Sequence, residues 1–554
     1  MTRTIELLRE NNLLKVIDEE VDIDLEMAHI AYIEVKQKDS KALLFTHPVS
    51  KKLDKKFDTP VLMNVFGSYE ATRLIFEKEP DDIADKIEKL LHMKPPSGFF
   101  GKVEMLKELF ELKNIFPKRV NTKASCQEII KKDVNLLDLP VLKTWSEDGG
   151  AFITMGQVYT QSLDGQKQNL GMYRLQVYDK NRLGMHWQIH KDGAHFFKEY
   201  KDAGKKMPVS VAIGGDPLYI WCGQAPMPNG MFELLLYGLI KEKNAILVKS
   251  KTNPIYIPTD SDIVIEGWVD PSKEEIEGPF GDHTGYYTLK EPYPVMDVTC
   301  ITTKKKPVFQ ATVVGKPPLE DKYMGWATER IFLPLLKTTT PDLIDYRMPE
   351  NGVFHNLILA KMKTLYPGHA KQFMHAFWGV GQMSFVKHAI FVNEDAPKLE
   401  NYEDITDYIC DRVSVENILI SEGICDALDH ASPNSCYGGK LGVDCTSDNV
   451  IYPKKNILED KELFAKLSSK IHDIKILCQY KTHTKTPICV LGIEKDRDIK
   501  EIYDELKELK EHLKLLVFVD FDKNDVNNPY MLIWRVVNNI DAKRDIFLEC
   551  EYMN

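Results

Sequence analysis

Glu277-Gly278-Pro279-Phe280-Gly281-Asp282-His283-Thr284-Gly285-Tyr286-Tyr287 is the most informative run in this chain. Two carboxylates stand five residues apart with two glycines and a proline between them, which predicts a shaped loop. Proline fixes one φ angle, while glycine permits conformations and close approaches that a side chain would resist. Such a loop can bring both acids to one cavity, where repulsion raises the pKa of one and makes it a proton donor near neutral pH. The same pattern also suits a surface turn with solvated acids, so its meaning depends on the rest of the sequence.

Upstream, Asn169-Leu170-Gly171-Met172-Tyr173-Arg174 leads into a predicted strand over Leu175–Tyr178. Asn169 and Arg174 are five apart and would leave opposite faces of a regular strand. If both serve one site, the segment must begin as a loop or bulge. An Arg beside Glu277 would hold it ionised and could grip a substrate carboxylate through its planar fork; a structural salt bridge is the alternative. Met185-His186-Trp187-Gln188-Ile189-His190-Lys191-Asp192-Gly193 mixes aromatic, amide and cationic groups. That mixture suits a flat, phosphate-bearing cofactor, and equally a strand-to-turn segment.

Glu233 lies on a predicted helix at about Asn229–Lys241, among the apolar residues Phe232 and Leu234–Leu236. A buried carboxylate there needs a cation or a metal. Asn and Glu oxygens with a phosphate oxygen suit Mg²⁺ or Mn²⁺, and a His nitrogen tilts the choice to Mn²⁺. Ser432–Lys440 reads as a glycine-rich loop ending in Lys440. It lacks Walker spacing and a strand-to-helix context, which excludes an NTPase.

Length and composition set the frame. The 554 residues predict two or three domains, and 43% hydrophobic with 28% charged residues supports packed cores. A net charge of −11 argues against a nucleic-acid surface but is compatible with a basic pocket for one phosphate. There is no targeting pattern at the N-terminus and no apolar run long enough for a membrane span. The ten cysteines are scattered without a CxxC pair, which favours reduced thiols in a cytosolic enzyme. Residues 1–120 read as mixed α/β, ending near the breaker cluster Pro95-Pro96-Ser97-Gly98. From Ala124 to Pro317 short strand-like runs (153–159, 172–178, 209–213, 255–257, 295–302) predict a largely antiparallel β unit, for which a barrel is one form. Beyond Pro318 helix and strand alternate again, closing on a small α/β unit of strand, helix, strand and helix over 488–537.

The order Asn169–Arg174, His186–Gly193, Glu233, Glu277–Tyr287 resembles the UbiD family of reversible (de)carboxylases. Leu139–Leu142, Trp145–Asp148, Pro367–Lys371 and Ala431–Pro433 add to the resemblance. It implies an α/β multidomain fold: an N-terminal α/β domain (1–120), a central flavin-reductase-like split β-barrel (121–318), and a C-terminal α/β oligomerisation domain with a small terminal extension (319–554). It also implies prenylated FMN, with Mn²⁺ (or Mg²⁺) and K⁺ at the phosphate. Asn169 and Glu233 then correspond to metal ligands, with His190 as a third. Met172, Tyr173, Arg174, His186, Trp187, Gln188, Lys191, Asp192 and Lys440 correspond to cofactor contacts. The acid–base network falls on Arg174, Glu277 and Asp282, where Asp is similar to the quinone-pathway branch.

The tail beyond residue 450 resembles the longer menaquinone-pathway members of the futalosine route. The expected activity is therefore non-oxidative decarboxylation of a hydroxynaphthoate or hydroxybenzoate type of acid in quinone biosynthesis, in the cytoplasm. The cofactor would serve as electron sink, and Asp282 or Glu277 as proton donor. A flavin prenyltransferase would supply the cofactor. The chain would form a homodimer or homohexamer, with peripheral membrane contact if the substrate is prenylated. A flavin-binding protein without turnover, a structural assembly protein, and an aromatic-acid (de)carboxylase of catabolism or detoxification are the alternatives.

Overall fold

The computed structural model describes residues 1–93, 112–448 and 457–549, in two compact units, Met1–Pro334 and Leu335–Asn554. The Pro95–Gly98 cluster and Cys550 lie outside the described residues. The nine cysteines within them are all free thiols, seven of them buried. Among the described residues no helix is long and apolar enough to cross a membrane.

The first unit opens with the helix Thr2–Glu10 and the strand Leu14–Asp22, which pairs in parallel with Ala42–Ser50. Val61–Met63 joins antiparallel, and Phe309–Gln310, almost 250 residues later, adds in parallel beside it. The chain between builds the structure that carries the site. Six strands follow one another in a ring: Ile263–Glu277, Met207–Ile213, Ala151–Gln161, Gln168–Val177, Arg182–Gly184 and Glu291–Thr303, which pairs back onto Ile263–Glu277. Every pairing in the ring is antiparallel, so the expected β unit is a closed barrel. Ile129–Lys131 hangs on the outside of Glu291–Thr303.

Alternation along the strands explains what fills the ring. Tyr173, Leu175 and Val177, Val209, Val211 and Ile213, and Ile263 and Ile265 all belong to one hydrophobic core. That core continues without a break into Met27, Phe45, Val61 and Met63 of the N-terminal sheet. Met172, Arg174 and Gln176 take the other face of their strand.

Three local expectations are corrected. The helix expected from Asn229 begins only at Leu234, because Gly230 adopts φ +77° and Glu233 is the residue that caps the first turn. Glu277 is the last residue of the strand Ile263–Glu277, not part of a free loop. The strand Gln168–Val177 runs through both Asn169 and Arg174 with no bulge of its own. The irregularity is in its partner, where Thr154 and Met155 together stand opposite Arg174.

The second unit is built on a five-stranded sheet in the order Leu343–Arg347, Leu357–Met362, His388–Asn393, Tyr437–Cys445, Ile418–Ile424. Its three central strands are parallel and its two edges antiparallel. Lys440 therefore sits in a strand, not in a loop. The C-terminal pattern is as expected: strand Ile488–Ile493, helix Ile499–Leu506, strand Leu515–Asp520 and helix Pro529–Asn539. The strand Ile474–Tyr480, unforeseen, completes a three-stranded sheet with its own apolar core.

Candidate active site

Arg174 is the centre of a buried polar cluster on the barrel. Its Nε donates to Glu277 Oε1 at 3.0 Å and its Nη1 to Asp282 Oδ2 at 3.2 Å. Nη2 donates to Thr288 Oγ1 at 3.3 Å and lies 3.1 Å from His186 Nδ1. The guanidinium also sits 5.0 Å from the centre of the Phe280 ring. Its fork is thus occupied by protein partners, which leaves little of it to grip a substrate carboxylate.

Two histidines complete the cluster. His186 Nδ1 is 3.0 Å from Glu277 Oε1, and its ring packs on Tyr293 at 4.3 Å between centroids. Because Nδ1 faces both a guanidinium and a carboxylate, its tautomer decides which bond forms. His283 Nδ1 lies 2.5 Å from Asp282 Oδ1, and the His283 amide donates to the same oxygen at 2.7 Å. Each acid therefore has an imidazole beside it.

Of the two effects expected at this site, repulsion between the acids and an Arg that holds Glu277 ionised, the second prevails. Burial does push Glu277 upward, but the His186 contact and the Arg174 charge outweigh it and hold it below the usual range. Burial likewise acts on Asp282, and His283 and Arg174 outweigh it more strongly. One shared cation removes the repulsion, so both acids are ionised.

The loop between the acids is held from outside. Gly278 takes φ +90° and its N–H donates to Gln176 Oε1 at 2.8 Å. Gly281 N–H donates to Asp148 Oδ1 at 2.8 Å, and a Cβ on Gly281 would fall 2.4 Å from Trp145 Cδ1. Asp148 Oδ2 in turn accepts from the Thr144 amide, the Thr144 hydroxyl and the Trp145 amide.

A second polar group lies along the same strand. Glu233 Oε2 accepts the Leu170 N–H at 2.6 Å, which brings the carboxylate next to Asn169, itself buried and bonded to Thr160. Glu233 is buried and, among the described residues, in no ion pair; burial pushes it up to about 8. Asp192, in the first turn of the helix Asp192–Asp202, accepts the Gly230 N–H and so ties the 185–193 segment to the turn before Glu233. His190 is exposed in that segment, and no three His, Cys, Asp or Glu side chains converge as a metal site among the described residues. Trp187 is buried edge-on to Tyr173, with rings 5.5 Å apart.

Buried atoms without a hydrogen-bond partner in this region include Trp187 Nε1, Glu277 Oε2, Thr284 Oγ1 and the Tyr178 hydroxyl. An unpaired buried donor and acceptor, with an uncompensated buried carboxylate, fit a polar ligand and a cation better than an empty core. Asn169 and Arg174, five residues apart on one strand, are separated by roughly 17 Å of strand rise. With no bulge between them the two side chains leave opposite faces of the strand, so the strand alone does not bring the Glu233 group and the Arg174 cluster onto one face. Lys440, in the second unit, donates to the carbonyls of Ser384 and Val386 at 2.7 and 2.9 Å and to that of Ile424, so its ammonium is fully engaged there.

Sequence reasoning missed the roles of His186, His283, Thr288 and Asp148. His186 was placed with the cofactor contacts, and the structure puts it against Glu277. Its signal was weak, since a histidine twelve residues from an Arg on another segment has no periodic relation to it. His283 is directly adjacent to Asp282 and was readable.

Family models match nearly the whole chain: the 3-octaprenyl-4-hydroxybenzoate carboxy-lyase N-terminal domain over 5–91, its Rift-related domain over 118–317, and its C-terminal domain over 322–445 and 456–552. The chain belongs to the UbiD family. It is a UbiD-type carboxy-lyase, from a family of aromatic-acid decarboxylases that use prenylated FMN.

Among UbiD relatives, an uncharacterized protein of Helicobacter pylori (strain J99 / ATCC 700824) is 58% identical over 547 residues, covering 98% of this chain and 88% of that protein. One from Aquifex aeolicus is 43% identical over 74% of this chain and 83% of its own length. The fold matches the closed form of vanillic acid decarboxylase from Sedimentibacter hydroxybenzoicus with a TM-score of 0.70 at 22% identity, over 84% of this chain and 98% of that one. It also matches the UbiD-class enzyme HmfF from Pelotomaculum thermopropionicum in complex with FMN, with a TM-score of 0.68 at 23% identity over 82% and 97%.

Proposed function

We propose that this enzyme removes CO₂ without oxidation from a hydroxynaphthoate or hydroxybenzoate type of acid in cytoplasmic quinone biosynthesis. The observation that carries the reading is the Glu277–Arg174–Asp282 bridge, closed at both distances and buried, with Glu277 Oε2 left without a partner. Loss of CO₂ from an aromatic ring leaves a carbanion that side chains alone cannot delocalise, and prenylated FMN, when bound, supplies the electron sink.

The residues do the rest. Met172, Tyr173, Trp187, Gln188, Lys191 and Asp192 would hold the cofactor, with Trp187 Nε1 as a donor toward it. Asn169 and Glu233 would hold Mn²⁺ or Mg²⁺ at the phosphate, which gives the buried Glu233 carboxyl the cationic partner it lacks among the described residues; His190 is their third candidate. Arg174 holds Glu277 and Asp282 aligned and ionised between turnovers, and Asp282, once it has taken up a proton, passes it to the ring carbon as CO₂ departs. The segments 1–120, 121–318 and 319–554 serve as its N-terminal, cofactor-binding and oligomerisation domains.

The reading of menaquinone synthesis rests on the resemblance of the tail beyond residue 450 to the longer menaquinone-pathway members of the family. The test is co-expression with a flavin prenyltransferase, then CO₂ release from a panel of hydroxynaphthoates and hydroxybenzoates. Turnover of hydroxynaphthoates supports the reading. A flavin-loaded protein inactive on every acid in the panel overturns it.

A further inference from the structure

His283 is part of the sequence motif but has no place in the mechanism above, and its geometry gives it one. Asp282 is gripped on both oxygens. Arg174 Nη1 holds Oδ2 at 3.2 Å, and His283 Nδ1 faces Oδ1 at 2.5 Å. The Asp282 side chain is 6% exposed, whereas that of His283 is 17% exposed, so the imidazole is the more open end of the pair. The turn that aligns them is fixed by the backbone: Asp282 N–H donates to the Tyr286 carbonyl, and Gly285 N–H, with φ +84°, donates back to that of Asp282.

A carboxylate locked to a guanidinium is a poor reservoir for a proton, because Arg174 favours its charged form. Decarboxylation nevertheless consumes one proton for each CO₂ released. An imidazole is the side chain that exchanges protons readily near neutral pH. The other histidine of the cluster, His186, is engaged with Glu277 and Tyr293.

We propose that His283 is a positioning residue that loads Asp282 with the proton used in each turnover, a role that rests on the decarboxylase reading above. The step balances. The imidazolium Nδ1–H bond breaks and an O–H bond forms on Asp282 Oδ1. Asp282 then gives that proton to the carbanionic ring carbon and returns to carboxylate. Neutral His283 regains a proton from solvent. The charged and titratable groups around the pair are Arg174 from the strand Gln168–Val177, Glu277 from the end of Ile263–Glu277, His186 from the segment after Arg182–Gly184, and Asp148 through Gly281.

Two variants of the flavin-loaded enzyme test this. In His283→Asn the amide nitrogen overlays Nδ1 and still donates to Asp282, but it cannot release a proton. His283→Ala removes both functions. The relay predicts that His283→Asn keeps its flavin absorbance and Tm, holds KM within about twofold, and loses kcat by roughly 10²-fold or more. It also predicts that the pH profile of kcat changes shape in His283→Asn, because the imidazole no longer takes part. Wild-type kcat in His283→Asn, with or without loss in His283→Ala, overturns the relay and leaves at most a hydrogen-bonding role. A wild-type protein that carries the flavin but releases no CO₂ overturns the decarboxylase reading instead, and the relay with it.

Discussion

Asp148 accepts the backbone N–H of Gly281 at 2.8 Å, across 133 positions of sequence. Through this bond a residue that never meets the acids decides where their loop lies. Its second oxygen collects three more donors from Thr144 and Trp145. Asp148→Ala would leave four donors without their acceptor, and each buried orphan costs about 1–3 kcal/mol. The expected outcome is a lower urea midpoint, by roughly 3 kcal/mol or more in stability, and loss of CO₂ release in protein that still binds flavin.

Arg174 is predicted to be irreplaceable even by lysine. A point charge on a flexible stem cannot bond Glu277 and Asp282 at once. Arg174→Lys should lower kcat on the order of 10²-fold, the equivalent of one charged hydrogen bond of about 1.5–3 kcal/mol. Arg174→Ala leaves two buried carboxylates with only their neighbouring imidazoles as partners and should cost about 3–5 kcal/mol in denaturant unfolding.

The depressed acids predict an acid-sensitive fold. Glu277 and Asp282 are both held below their ordinary values, near 4 for unfolded carboxyls. Their contribution to stability is therefore fully present above about pH 4–5 and is lost as pH falls through the lower folded-state values. The Tm of wild type should drop between about pH 4 and pH 2, and Asp282→Asn should show a shallower drop from a lower starting Tm. A parallel pair of curves would sink this account.

Glu233 predicts a metal response. Mn²⁺ added to the flavin-loaded wild type should raise Tm by mass action, since it binds the folded state alone. Glu233→Gln should abolish the rise while leaving the barrel folded. An equal rise in both proteins would move the ion elsewhere.

What the sequence revealed depended on local pattern. Val209–Ile213 and Val295–Thr302 are short runs rich in β-branched residues and lie within barrel strands. The longest strand, Ile263–Glu277, was hidden because Asp270-Pro271-Ser272-Lys273-Glu274-Glu275 is polar throughout and irregularly paired between Val269 and Glu274. Glu277 thus read as loop. The pairing of Glu277 with Arg174 was legible only through the order of motifs, because a contact between residues 103 apart leaves no local pattern. The sequence reading set Arg174 beside Glu277; that the same guanidinium also bonds Asp282, and that an imidazole stands beside each acid, needed three dimensions.

Phe309–Gln310 supplies the last strand of the N-terminal sheet, and that sheet shares its core with the barrel. Translation therefore matters. Val61–Met63 leaves the ribosome long before its parallel neighbour exists, a delay of roughly 12–50 s at about 5–20 residues per second. Through that interval Phe45, Val61 and Met63 lack the barrel residues that finally cover them. The nascent N-terminal segment thus carries uncovered apolar surface until residue 310 arrives and the sheet is completed.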